Sequence, residues 1–326
     1  MGQMIDGQWF ADDDIGAKHK GEFKREPSLL RGVVSAHTNA VFPAESGRYH
    51  LYVAWNCPWA HRTVLMLALK GLNAHIGLSI AAPRRTDQGW VFDPHNGYKD
   101  TLFDASAMHE IYARGASKYT GRVTVPVLYD TKTDRIVNNE SADIVRMLTH
   151  AIGELANDAD FYPEKLRDPP SEGLRHRIDD WNKRIYNSLN NGVYRAGFAE
   201  TQAAYDAGVR DVFATLDAIE VQLAQTRYLT GDRLTEAEHR LFHTLVRFDV
   251  GYYSAFKCNR NRLIDFPNLW RYARNIYHMP GIKETVFFEI YRRGYHSPSP
   301  KRNIHGIAPI APDISWDIKS GPKTAK

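Results

Sequence analysis

The stretch that most constrains this chain is RYHLYVAWNCPWAHRTVLMLALKGL, residues 48–72. Its first eight residues are largely apolar and β-favouring, and they read as a buried strand. A cysteine and a proline follow, and then apolar residues recur at helical spacing. Pro58 suits the first turn of a helix, where a missing N–H leaves nothing unpaired. Gly71 can adopt the left-handed conformation that ends one. A strand feeding a helix through Cys57-Pro58 is half of a β-α-β unit, so a parallel strand pair is expected within a few tens of residues.

The following sequence supplies it. AHIGLSIAA, from 74, reads as a second strand, and helical material is expected over 104–115. RVTVPVLYD, TKTD and RIVNN read as strand, turn and strand, and ESADIVRMLTH opens another helix. The sum is β-α-β, an insertion, then β-β-α. From 151 the strand signals fade. Three segments starting at Ser171, Thr201 and Thr235 carry helical periodicity, and Thr235 with Glu238 matches a capping box. Residues 1–47 show no periodic element and read as an extension wrapped around the fold. Residues 297–326, rich in proline and lysine, read as an extended tail. The expected fold class is an α/β N-terminal domain over 48–150 followed by an all-α domain over 151–296.

Composition narrows the function. The 42 Lys and Arg exceed the 38 Asp and Glu by four, and no long basic run gathers them, which argues against nucleic acid. Cys57 and Cys258 are the only cysteines, too few for a disulfide framework, so a reducing compartment is expected. No segment has the apolar length of a membrane span, and the polar start lacks a signal-peptide pattern. A cytoplasmic protein is the expectation.

Three places carry chemistry. Cys57 stands where unpaired helix amides and the helix dipole stabilise a thiolate, so its pKa is expected to fall. The bland alternative is a buried, inert thiol. Ala60 occupies the place where dithiol redox proteins carry a second cysteine, so a mixed disulfide at Cys57 needs an outside thiol to resolve it. Cys57 and His61 have no matching second pair, so no metal is expected. Pro126, between β-branched residues, fits either an edge strand or a cis Val125–Pro126 bond that exposes the Val125 backbone to an extended peptide. Glu140 and Ser141 stand at a helix start. They fit either plain capping, with Ser141 as the N-cap, or an anchor for the carboxylate and ammonium of an α-amino acid.

Together these residues resemble the glutathione transferases, and more narrowly their xi class, the glutathionyl-hydroquinone reductases. The resemblance rests on CPWAHRT, LKGL, GWVFD, YTGRVTVPVL, NESADIVRM, RFDVGYYSAFKCN, FPNLWRY and GIAPIAP, and it covers nearly the whole chain. It implies a thioredoxin-like N-terminal domain, glutathione as co-substrate, no metal and a homodimer. It assigns the nucleophile to Cys57. It gives glutathione binding to Trp90, Arg122, Val125, Glu140 and Ser141, with Pro126 cis. It gives an aromatic hydroquinone acceptor to Tyr194, Tyr252 and Tyr295. Asn56 departs from the small residue usual before the nucleophile, and AAPRRTDQGW departs from the usual stretch before the tryptophan.

The implied reaction is glutathione-dependent removal of glutathione from glutathionyl-hydroquinones through a Cys57 mixed disulfide. A glutaredoxin-like or dehydroascorbate-type reductase, or an aryl ether-cleaving enzyme, would use the same site. A non-enzymatic redox sensor would hold a glutathionyl cap on Cys57 and react once.

Overall fold

The structure, a computed structural model, describes residues 2–11, 17–19, 21–152, 155, 157–163, 171–311 and 313–317. The end of the expected tail, 318–326, lies outside the described residues. In chain order the structure has β1 (Gln3–Ile5), β2 (Gln8–Phe10), β3 (Ala17–His19), β4 (Glu22–Lys24), β5 (Tyr49–Ala54), α1 (Pro58–Lys70), β6 (Ile76–Ala81), α2 (Met108–Gly115), β7 (Gly121–Arg122), β8 (Val127–Asp130), β9 (Arg135–Asn138) and α3 (Ser141–Thr149). The helical half follows with α4 (Ser171–Arg184), a π-helical turn (Ile185–Asn190), α5 (Gly192–Gly197), α6 (Gln202–Gln225), α7 (Glu236–Arg247), a second π-helical turn (Phe248–Tyr252), α8 (Tyr253–Ala255), α9 (Pro267–Tyr277) and α10 (Phe288–Tyr295). The chain therefore has a thioredoxin-like α/β half and an all-α half.

The central sheet runs β6-β5-β8-β9, with β5 and β6 parallel and the other pairs antiparallel. All six residues of β5 are buried, as a central strand covered on both faces requires. Pro58 is at the start of α1, and Gly71 ends it at φ 69°, with its N–H returning to Ala68 O at 3.2 Å. The capping box of Thr235 and Glu238 is formed at the head of α7.

Residues His61 and Arg62 of α1 join the two halves. His61 Nε2 is 3.0 Å from Thr285 Oγ1. Arg62, fully buried, donates to His243 Nε2 at 2.8 Å and Asn190 Oδ1 at 2.6 Å. A buried cation needs such partners, because desolvation without them is prohibitive.

The extension differs from expectation, since it contains four short strands. β1 pairs with β2 and with β7, placing Gln3 opposite Arg122. Each strand has only three residues, and β1 has a remote second partner in β7, so neither length nor alternation exposes them in sequence. Further along, Asn139 N donates to Leu30 O at 3.0 Å, Leu30 N donates to Asn139 Oδ1 at 3.1 Å, and Gly32 N donates to Val137 O at 2.8 Å. Phe23 stacks on Phe198 of the helical half at 5.4 Å. The extension thus touches both halves.

Candidate active site

Cys57 is the N-cap of α1, held where β5 ends by its N–H to Ala54 O at 3.0 Å. It is 9% exposed, and its thiol donates to Val125 O at 3.5 Å. Burial pushes this thiol up from its ordinary value; the amides of Ala60 and Trp59 and the charges of Arg247 and Arg25 oppose that shift. The expected depression is therefore not what this structure gives. The helix amides are in place, but desolvation of the sulfur outweighs them. Cys258 keeps its bland reading: it is fully buried in the helical core, with its thiol pushed up to about 12 by burial.

Cys57, Trp90, Val125, Pro126, Glu140 and Ser141 line one cavity of about 240 Å³. Five of the expected glutathione-side positions and the thiol thus share a single space. The Val125–Pro126 bond is cis. Arg122 lies beside it, lining an adjoining cavity that shares Thr124, Asn139 and the 25–28 segment with the first, and it approaches Glu26 at 3.9 Å. The N-cap of α3 is Glu140 rather than Ser141. Its Oε1 accepts from Ala142 N at 3.1 Å, and its Oε2 accepts from Ser28 Oγ at 3.0 Å. A carboxylate here is favoured by the helix dipole. It brings a fixed negative charge to the cavity wall, and the Ser141 hydroxyl lies beside it.

The three tyrosines named from the helical half converge. Tyr252 Oη is 2.9 Å from Tyr295 Oη, which is 3.3 Å from Tyr194 Oη. Burial pushes all three phenols above their ordinary value, so they remain protonated donors at neutral pH. Two glycines permit this approach. A Cβ on Gly251 would come within 2.7 Å of the Tyr295 ring, and one on Gly294 would lie 3.2 Å from Asn56 Cβ. Gly294 thus brings α10 against the residue preceding Cys57, and Tyr295 follows it directly.

Residues 56–151 match the family model of the glutathione S-transferase N-terminal domain, and 202–275 match that of the C-terminal domain. The chain is 44% identical to the glutathionyl-hydroquinone reductase YqjG of Escherichia coli strain K12, over 98% of each chain. It superposes on the xi-class transferase of Natrialba magadii with a TM-score of 0.88 and 41% identity, covering 98% of this chain and 95% of that one. The chain belongs to the xi class of the glutathione transferases. The glutathione-bound structure of E. coli YqjG matches it with a TM-score of 0.86 at 41% identity, over 97% of each chain.

Two residues of this xi-class transferase's site, Arg25 and Arg247, escape a reading of the sequence, and a third, Trp59, lies in the CPWAHRT motif but is given no role by it. Arg25, from the extension, lines the Cys57 cavity. Its guanidinium carbon lies 4.6 Å from the Trp59 ring and 5.1 Å from the Tyr194 ring, and its Nε donates to Asn191 Oδ1 at 2.9 Å. Trp59 lines the same cavity, and its buried Nε1 has no hydrogen-bond partner among the described residues, so it can donate to a ligand. Arg247, at the end of α7, is fully buried beneath the Cys57 turn. It donates to Trp55 O at 3.0 Å, and its Nη1 is 2.8 Å from His61 Nδ1. No motif spacing reports Arg25 or Arg247, because each belongs to a segment far from Cys57 in sequence, whereas Trp59 stands two residues after the thiol.

Proposed function

We propose that this xi-class transferase reductively removes glutathione from glutathionyl-hydroquinones. The supporting observation is the placement of one thiol, Cys57, in a cavity that also holds the helix-start pair Glu140 and Ser141, with three linked tyrosine hydroxyls converging from the helical half. Glutathione is the co-substrate. Glu140 binds its α-ammonium, and Ser141 with the α3 amides binds its α-carboxylate. Trp90 packs against the tripeptide, Arg122 holds its far end, and the Val125 backbone pairs with its main chain. Tyr194, Tyr252 and Tyr295 hydrogen-bond the acceptor's hydroxyls.

The chemistry follows from these positions. The Cys57 thiolate attacks the glutathionyl sulfur. The sulfur–aryl bond breaks, its electron pair passes to the ring carbon, and that carbon takes a proton. Hydroquinone leaves, and glutathione remains on Cys57 as a mixed disulfide. A second glutathione thiolate attacks the glutathionyl sulfur of that disulfide, giving glutathione disulfide and the Cys57 thiolate. The aryl carbon is reduced by two electrons, which the two glutathione sulfurs supply. With no second cysteine near Cys57 among the described residues, the outside thiol is necessary. The phenols, being protonated, support negative charge developing on the ring oxygens.

Replacing Glu140 with Gln keeps an acceptor for the α3 amide but removes the charge facing the ammonium. A hydrogen bond to a charged group contributes about 1.5–3 kcal/mol, so KM for glutathione should rise about ten- to a hundredfold, alike for every acceptor. An acceptor-dependent change in steady-state kinetics would contradict this placement.

The tyrosines should behave in the opposite way. Tyr295→Phe removes one neutral hydrogen bond and keeps the ring, so a binding effect should be only several-fold. A larger loss confined to kcat would place the hydroxyl in the transition state. The loss should appear with a hydroquinone adduct and not with hydroxyethyl disulfide. Equal losses on both would make these tyrosines structural.

The working division of the chain keeps 1–47 as the wrapping extension, 48–150 as the glutathione half, 151–296 as the acceptor half and 297–326 as the tail. Among the described residues no helix is long and apolar enough to cross a membrane. A cytoplasmic homodimer remains part of the proposal, and light scattering of the purified protein tests the assembly.

A further inference from the structure

A groove of about 460 Å³ adjoins the Cys57 cavity, and Arg25 and Tyr186 line both spaces. This shared wall stands against Trp59, two residues after the thiol. The Arg25 guanidinium carbon is 4.6 Å from the Trp59 ring, and the Tyr186 ring meets that ring edge-on at 5.8 Å. Tyr186 belongs to the π-helical turn Ile185–Asn190, a distortion frequent at functional sites. Beyond the wall the groove runs between Lys24 of β4 and the helical-half residues Asn187, Asn191, Arg195 and Asp211.

The groove is polar and carries an excess of positive charge. Lys24 and Asn187 are exposed, and neither side chain has a hydrogen bond or ion pair among the described residues. Arg25 donates to Asn191 Oδ1 at 2.9 Å and has no carboxylate partner among the described residues. Arg195 pairs with Asp211 at 2.6 Å, while its buried Nε has no partner among the described residues. Three cations thus face one carboxylate, and a cleft lined by one sign of charge concentrates ligands of the other. The tyrosine cluster differs in kind. Phe198 and Phe256 pack on Tyr194 at 6.0 and 5.2 Å, and its phenols are uncharged. That space suits an aromatic ring and disfavours a peptide with charged ends.

Resting on the function proposed above, we infer that this groove docks the second glutathione, the one that releases Cys57 from its mixed disulfide. The first glutathionyl group occupies the Cys57 cavity, its γ-glutamyl end at Glu140 and Ser141, so the second tripeptide needs a space of its own. Glutathione carries two carboxylates and one ammonium at neutral pH. Lys24, Arg25 and Arg195 receive its carboxylates, and its cysteinyl arm passes the Arg25–Tyr186 wall. Its thiolate attacks the glutathionyl sulfur. The sulfur–sulfur bond of glutathione disulfide forms, the bond to Cys57 breaks, and the electron pair of that bond stays on Cys57 as the thiolate. The groove therefore selects which outside thiol completes the cycle.

The experiment starts from full-length protein carrying one glutathionyl group on Cys57, prepared with glutathione disulfide so that it does not depend on the hydroquinone reaction. Its release is followed by rapid mixing with reduced glutathione and, separately, with mercaptoethanol, a small thiol without charged ends. Wild type, Lys24→Glu and Asn187→Asp are compared. Both positions are exposed, and thermal unfolding checks that the fold is kept. Each substitution sets a new carboxylate in the groove. It should slow release by glutathione about fivefold, the upper scale of one exposed charge pair, and leave release by mercaptoethanol within about twofold. Rising salt should shrink the difference. Release by glutathione unchanged in both variants would overturn the inference, as would equal losses with the two thiols. Turnover of a glutathionyl-hydroquinone by the wild type is measured alongside. Its absence would overturn the underlying reading as well, whereas normal turnover without the selective loss would overturn the inference alone.

Discussion

Cys57→Ser is expected to abolish turnover of glutathionyl-hydroquinones, by about a thousandfold or more, the scale seen when a nucleophile is removed. The replacement is close to isosteric, and a serine hydroxyl can donate to Val125 O as the thiol does at 3.5 Å. The fold and glutathione binding should therefore persist, so thermal unfolding and glutathione titration of the variant control for damage. What the hydroxyl cannot do is form the sulfur–sulfur bond that stores glutathione between the two half-reactions. Cys258→Ser, in the core of the helical half, should change stability without changing the chemistry.

Arg247→Met should produce the second-largest effect, and on two readouts at once. Arg247 is fully buried and has no carboxylate partner among the described residues. Its charge is compensated by the Trp55 and His243 carbonyls, by His61 and by the Tyr291 ring, whose centroid is 3.8 Å away. Methionine fills similar volume but strands the Trp55 carbonyl and His61 Nδ1. Each buried group left unpaired costs roughly 1–3 kcal/mol, so a loss of about 2–6 kcal/mol is expected in denaturant unfolding. The sign of the second effect follows from the charge. Removing a cation that favours the Cys57 thiolate raises the thiol pKa, so the pH profile of Cys57 alkylation should move to higher pH. Arg247→Lys should restore part of the pH profile but little of the stability, since an ammonium lacks the planar fork that spans these acceptors. A stability loss with an unmoved pH profile would reduce Arg247 to a packing role. Because burial already lifts this thiol, the wild-type profile in the absence of glutathione should have its midpoint above the ordinary value of about 8.5.

Much of the site is legible in the sequence where the physics is local. The strand–Cys57–Pro58–helix turn is fixed by apolar patterning and the φ of proline, and the capping box of α7 by a four-residue spacing. The convergence of Tyr194, Tyr252 and Tyr295 follows from the family resemblance, not from spacing, because the three stand on α5, a π-helical turn and α10. What escapes the sequence is long-range. Arg25 reaches Trp59 only because the extension crosses both halves. Glu140 displaces Ser141 as the N-cap of α3, a choice between neighbours that composition does not decide. The burial of Cys57 depends on its packing in the core of the α/β half, where Val125 O accepts from its thiol. The local argument from helix amides therefore gave the right stabilising groups and the wrong net direction for the thiol.

The most direct test is intact-mass analysis of the wild-type protein after one equivalent of a glutathionyl-hydroquinone, with no free glutathione present. The account predicts one glutathionyl group on Cys57, located by peptide mapping, with an equal amount of unconjugated hydroquinone in solution. Added glutathione should clear the adduct as glutathione disulfide. An adduct carrying the aromatic ring, or hydroquinone released with Cys57 left unmodified, would contradict it.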